Sequence, residues 1–394
     1  MGIGPRHRCL HFLLAGLLLA GALLCVQSAS GQSDQIIGAP GNPAAMEQYR
    51  RALDAYNAAH DGYTAASNAY WSSITEKRKL RNSKRAAGEA LAIDDYVLDQ
   101  PPVYTGPPKP RNPQKPEAPG RRTAVPVIAD FVAAAQQQFN FVPRMPQNDI
   151  QFKQVYAQVA QSAGLTKDQV VRIYSFEATG NGSYDVEAGL EYNKHARAIT
   201  TALGYNQLLA TNSVEIVAEK GSQFIDEFRT EAGTLANGQR QALESKIEVL
   251  RKMVAFARSV PDDWNQHEVL ANTEKGLGVH ALNLDIDVGP LLQTQKLLDS
   301  IVFARRKGVT RTLTAAELEM MNLTGDGNGF DIVTMPQQWR EQVPTSNFFR
   351  PSGYFDNPVA QRNNVVAKLI AATDARMDEE TKKQGAKDLA AALR

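Results

Sequence analysis

The chain has 394 residues, a formal net charge of +1 and a mean hydropathy of −0.35. Near neutrality gives no global field for nucleic acid, so none is expected as a partner. Both cysteines, Cys9 and Cys25, fall in the first thirty residues, which excludes disulfides, cysteine nucleophiles and zinc–thiolate sites from everything beyond. At roughly 150 residues per domain, the length predicts two or three folding units.

Residues 1–30 read as a cleavable signal peptide. Arg6, His7 and Arg8 make a cationic start, an apolar run follows from Leu10 to Val26, and Ser28-Ala29-Ser30 precede Gly31. The run is short for a flanked span, which needs about 20 residues. Leu24 stands where a lipoprotein signal wants a small residue before Cys25, which argues against lipidation. A periplasmic location is therefore expected, with the mature protein soluble.

Residues 31–99 are predicted to form a helical arm after a Gly- and Pro-rich lead-in. Tyr49, Leu53, Tyr56, His60 and Tyr63 recur at helical spacing. Lys77, Arg78, Lys79, Arg81, Lys84 and Arg85 crowd one segment and read as a solvated face; contact with anionic wall polymer or lipid headgroups is the alternative. Nine of the twenty prolines lie between Pro101 and Pro126, so residues 100–126 are predicted to be an extended polyproline spacer.

A mainly α domain is expected over 127–309, with a C-terminal helical segment, 310–394, packed on it. Phe131 and Ala134 open one apolar stripe; Phe152, Val155, Tyr156, Val159 and Ala163 form another. Gly164 is placed to end that helix in a left-handed conformation. Thr166 and Gln169 then supply a capping box for a helix carrying Val170, Val171, Ile173, Tyr174, Phe176 and Glu177. Further helices are predicted at 194–204, 206–219, 222–232, 237–259 and 290–306, with an extended piece at Leu282–Val288. Thr314 reads as a helix cap, Asn347–Phe355 as an aromatic lid over the core, with a cover on one side of a sugar groove as the alternative, and Pro358–Thr373 as a late helix.

The stretch most suited to chemistry runs from Gln151 to Gly221. Glu177 closes an apolar helix and enters the glycine-rich turn Ala178-Thr179-Gly180-Asn181-Gly182-Ser183-Tyr184; Gly204-Tyr205-Asn206-Gln207 follows and opens another helix. An apolar wall raises a carboxyl pKa by desolvating the charged form, which suits a general acid near neutral pH. Glycines let backbone approach a sugar closely.

This arrangement resembles the lysozyme-like domain of the soluble lytic transglycosylases, over about residues 151–221. The resemblance matches Glu177 to the family's catalytic acid, and Gly204 and Gln207 to the Gly and Gln of its second motif. Tyr205 and Asn206 stand where Leu and Met are usual, Ala210 replaces a proline, and Asn212 stands for threonine. It implies a lysozyme-like helical fold and peptidoglycan glycan strands as substrate, without a cofactor. Glu177 would protonate the oxygen between N-acetylmuramic acid and N-acetylglucosamine, then take the proton of the sugar's 6-hydroxyl, giving a 1,6-anhydro product. Gly204, Tyr205, Asn206, Gln207 and Tyr184 are the implied substrate contacts. A hydrolytic variant needs a second carboxylate, for which Asp185 and Glu187 are the candidates.

Blander uses stand beside each of these. Glu177 can be a plain helix-terminal residue, Gln207 a buried amide, and Gly180, Gly182 and Gly204 backbone punctuation. Tyr184 and Tyr205 can be core aromatics, with Asp185 and Glu187 solvated. No metal site is expected: Thr324–Asp331 lacks the closing Glu of the roughly 12-residue calcium loop and reads as a Gly-rich turn. His267-Glu268 lacks the second zincin histidine, and His195 and His280 are isolated. The alternatives to an enzyme are a non-catalytic wall-binding or scaffold protein of the same fold, or an adaptor working through the arm.

Overall fold

A computed structural model describes residues 43–114, 125–178, 200–355 and 357–393. The chain is mainly helical; among the described residues the only β pairing is two isolated bridges, Leu203 with Leu208 and Pro344 with Val365. None of the described helices is long and apolar enough to cross a membrane. The chain divides near residue 123 into two compact units.

The first unit is built on α1 (Pro43–Ala87). Tyrosines stand on it every seventh residue, at 49, 56, 63 and 70, which keeps them on one face. The chain beyond α1 turns and runs back along that face. Arg81 is fully buried, donates to the Asp95 carbonyl at 3.0 Å and lies over the Tyr96 ring. Lys84 pairs with the Asp95 carboxylate at 2.7 Å, and Lys77 donates to the Asp94 carbonyl. Tyr70 reaches the carbonyl of Asp99 at 3.0 Å, and Tyr104 sits among Tyr56, His60 and Tyr63. The basic run is thus no uniform solvated face, because three of its cations hold the returning chain. The start of the proline-rich stretch is a strap on α1 rather than a free spacer.

The second unit contains two apolar cores. The helices are α2 (Ile128–Phe139), α3 (Asp149–Ser162), α4 (Lys167–Glu177), α5 (Ala210–Ala232), α6 (Asn237–Ala257), α7 (Trp264–Ala271), α8 (Glu274–His280) and α9 (Gly289–Arg306). After them come α10 (Ala315–Thr324), α11 (Asp326–Thr334), α12 (Gln337–Arg340), α13 (Pro351–Phe355), α14 (Pro358–Arg362), α15 (Val366–Glu380) and α16 (Gln384–Ala392). One core gathers Phe131, Phe139, Val214, Phe224, Leu250 and Leu282 from α2, α5, α6 and the turn after α8. The other gathers Phe152, Tyr174, Leu318, Met377 and Leu389 from α3, α4, α10, α15 and α16. Helix α9 serves both, with Leu292 in the first and Leu297 and Ala304 in the second. The C-terminal residues therefore share a core with the helix that carries Glu177.

Several local expectations are revised. Residues 206–219 and 222–232 fall largely in one helix, α5, because Gly221 does not break it but lets Val254 of α6 approach. Of the helix expected at 194–204, the described part, 200–204, leads into a turn. Leu282–Val288 is not extended. A 3-10 turn at Ala281–Leu284 leads to Asp285, whose buried carboxylate accepts from the amides of Arg144, Asp287 and Val288 and pairs with Lys246 at 2.6 Å. Thr324–Asp331 is not a Gly-rich loop either: Gly325 at φ +88° separates α10 from α11. A Cβ on Gly329 would stand 2.7 Å from the Met321 amide nitrogen, so that glycine permits close helix approach. The helix expected over 358–373 is interrupted at Asn363.

Candidate active site

Local sequence rules deliver Glu177 to its position. Gly164, at φ +85°, closes the C-terminal turn of α3. Thr166 accepts from the Gln169 amide at 3.2 Å while Gln169 accepts from the Thr166 amide at 3.0 Å. The second face of the Gln169 amide donates to the Leu313 carbonyl at 2.9 Å, tying the start of α4 to the chain entering α10. That chain has its own capping box, Thr314 with Glu317. Val170, Ile173 and Tyr174 are fully buried, which fixes the rotation of α4 and leaves Glu177 on its last turn.

Glu177 is half-buried and turned onto α10. Asn322 donates to its Oε1 at 3.1 Å, and the same amide lies 3.5 Å from Oε2 of Glu319. Glu319 is 0% exposed and in hydrogen-bond contact with Glu177. Burial pushes the Glu177 carboxyl up to about 7, while hydrogen bonds from Glu319 and Asn322 restrain the rise. Its place at a helix C-terminus further disfavours the charged form. Burial first, and then Glu177 itself, hold Glu319 well above the carboxylate range; Asn322 and Lys296 of α9 pull the other way. Two such carboxyl groups cannot both be charged at neutral pH.

The carboxyl contact also bears on mechanism. Glycosidase pairs flank the sugar at roughly 5–5.5 Å or 6.5–9.5 Å. Glu177 and Glu319 are too close for a ring to lie between them, so Glu319 does not act as the carboxylate across a groove.

The second motif forms a tight turn packed against α4. Leu203 and Leu208 exchange backbone hydrogen bonds at 3.0 Å, with Gly204 at φ +81° and Gln207 at φ 44° between them. Tyr205, expected to meet substrate, is fully buried. Its ring lies 4.4 Å from Tyr174, one helical turn before Glu177, and its hydroxyl donates to Asp149 at 2.9 Å. Asn206 is also interior. Its amide nitrogen donates to Gln293 Oε1 at 2.8 Å, and its side chain to the Gln293 carbonyl at 2.7 Å. Tyr205 and Asn206 thus work inside the fold, leaving no face for a sugar. Gly204 abuts Gln293, and Gln207, partly buried, donates back to the Gly204 carbonyl at 2.9 Å. Tyr184, Asp185, Glu187 and His195 lie outside the described residues.

Glu319 and Asn322 escaped the sequence reading. The available signal was a lone carboxylate in Leu318-Glu319-Met320-Met321, where every residue of the helix is buried. Among the described residues no cluster of His, Cys, Asp and Glu could hold a metal. His280 is buried against Ser213 (2.8 Å) and the Thr201 carbonyl (2.7 Å), and burial lowers it to about 4, so it stays neutral as a structural link. A cavity of about 550 Å³ lies beside α6, lined by Phe141, Leu243 and Lys246 among others, and shares no residue with the Glu177 site. The sequence matches no protein-family model, no curated protein and no solved structure.

Proposed function

We propose that this is an exported, periplasmic enzyme that cuts peptidoglycan glycan strands between N-acetylmuramic acid and N-acetylglucosamine, with Glu177 as acid and then base. The observation that carries this reading is the Glu177 carboxyl itself. It closes an apolar helix, accepts from Asn322, and is pushed up to about 7 by burial. A group titrating there can give a proton to the leaving oxygen and take one from a 6-hydroxyl at the same pH. The lysozyme-like likeness of residues 151–221 supplies the substrate class. Glu319, in contact with Glu177, is not the carboxylate across a groove that hydrolysis needs, and the one-carboxylate, anhydro-forming route requires no such partner.

One observation favours a second reading. Helix α10 packs against Glu177, which suits a wall-binding scaffold that keeps the fold without the reaction. Purified sacculi incubated with the protein and with Glu177→Gln separate the two, the released muropeptides being weighed by mass spectrometry. Anhydro-muropeptides from the wild type alone support the transglycosylase. Hydrated products lost in the variant transfer attention to Asp185 and Glu187. Co-sedimentation of both proteins without release leaves the scaffold.

A further inference from the structure

Glu319 occupies a position that accommodates a charged carboxylate poorly. It is 0% exposed, on a helix whose every residue is buried, between Leu318, Met320 and Met321. Its Oε1 receives no hydrogen bond from an N–H or O–H donor among the described residues, and its Oε2 meets only the long 3.5 Å approach of Asn322. A buried anion so poorly solvated is costly, whereas a protonated carboxyl turns the same oxygen into a donor. The acceptor is at hand, because the Glu177 carboxyl is in hydrogen-bond contact with it.

We propose that Glu319 is a neutral carboxylic acid that donates a hydrogen bond to Glu177, and is the positioning residue of the site. Glu177 then has two donors, the Glu319 hydroxyl and the Asn322 amide, both aimed at its carboxylate form. Their effect is opposite to that of burial: they stabilise the anion left after proton transfer and so limit how far burial raises the Glu177 carboxyl. Lys296 of α9 is the charged group that faces Glu319 from the third helix, and it favours the opposite assignment, an anionic Glu319 beside a protonated Glu177. The assignment matters to function only if Glu177 is the acid, but its test does not depend on that.

The test is the titration of Glu177 itself, followed by carbon NMR in protein labelled at the glutamate carboxyls, with the signal assigned by its loss in Glu177→Gln. Glu319→Gln keeps a neutral donor and should leave the Glu177 midpoint nearly unmoved. Glu319→Met keeps the volume without the donor and should raise the midpoint by about one pH unit. If Glu319 is an anion, both variants instead lower the midpoint toward the ordinary glutamate value, and the proposal fails. Circular dichroism confirms that each variant is folded; should Glu319→Met be unfolded, Glu319→Gln alone still separates an unmoved midpoint from a lowered one. Sacculi play no part in the measurement, so a protein that cuts nothing can pass it and an active enzyme can fail it.

Discussion

The side chain of Gln293 fills the space that a Cβ on Gly204 would need: such a carbon would stand 2.7 Å from Gln293 Cδ. Gln293 holds its place through Asn206 on one side and Asn283 on the other, its Nε2 reaching Asn283 Oδ1 at 2.7 Å and the Leu203 carbonyl at 3.2 Å. The turn of the second motif is therefore locked to α9 from inside the fold.

Gly204→Ala should destabilise the protein by about 2–4 kcal/mol. A left-handed alanine and a displaced buried amide both contribute. Urea denaturation of Gly204→Ala, Gln293→Ala and the double variant reads the coupling. The double variant should cost clearly less than the sum, because removing Gln293 relieves the clash. Strict additivity would mean that the two residues do not meet.

Lys153 is fully buried beneath the rings of Tyr174 and Tyr205, paired with Asp149. Burial lowers its pKa, and Asp149 only partly restores it. Asp149→Ala strands a buried ammonium and also orphans the Tyr205 hydroxyl, so a loss of about 3–5 kcal/mol is expected. Lys153→Met leaves Asp149 partly exposed and bonded to Tyr205, and should cost much less. Equal losses in thermal or urea melts would remove the ion pair from the account.

Stability should fall as pH rises from about 5 to about 7. The folded pKa of Glu177 is raised to about 7, so its contribution is full below the unfolded value near 4.5 and lost on passing 7. Glu319 acts in the same sense, since burial raises it too. His280 opposes them: lowered to about 4 by burial, it contributes fully above its unfolded value of 6.5 and loses that as pH falls. Glu177→Gln should flatten the decline in urea midpoints measured across this range. An unchanged slope in the variant would show that Glu177 does not titrate with folding.

Much of the helical framework was legible because its signals are local. The capping boxes at Thr166 and Thr314, the left-handed Gly164 and the apolar stripe of α4 each act within a few residues. What was not legible depends on distant partners. Asn322 and Glu177 are 145 residues apart in sequence, and nothing near either one announces the other. The resemblance made Tyr205 and Asn206 substrate contacts because they stand inside the second motif. Their burial is decided by Phe152, Tyr156 and Gln293, which the motif does not contain. Asp285 lies in the piece expected to be extended, whereas its charge is answered by Lys246 and by three backbone amides.

The strap along the tyrosine face changes what the long first helix does for the chain. With 45 residues, α1 measures about 65–70 Å from end to end. Yet Gly106 lies against Ala59, so by that point the chain has returned most of the way toward where the helix began. The end-to-end distance of residues 43–106 is therefore a fraction of the helix length. Measured by reach, the first unit is a folded-back clasp that stores contour length: the strap brings residue 106 back beside the first half of the helix instead of leaving it at the far tip.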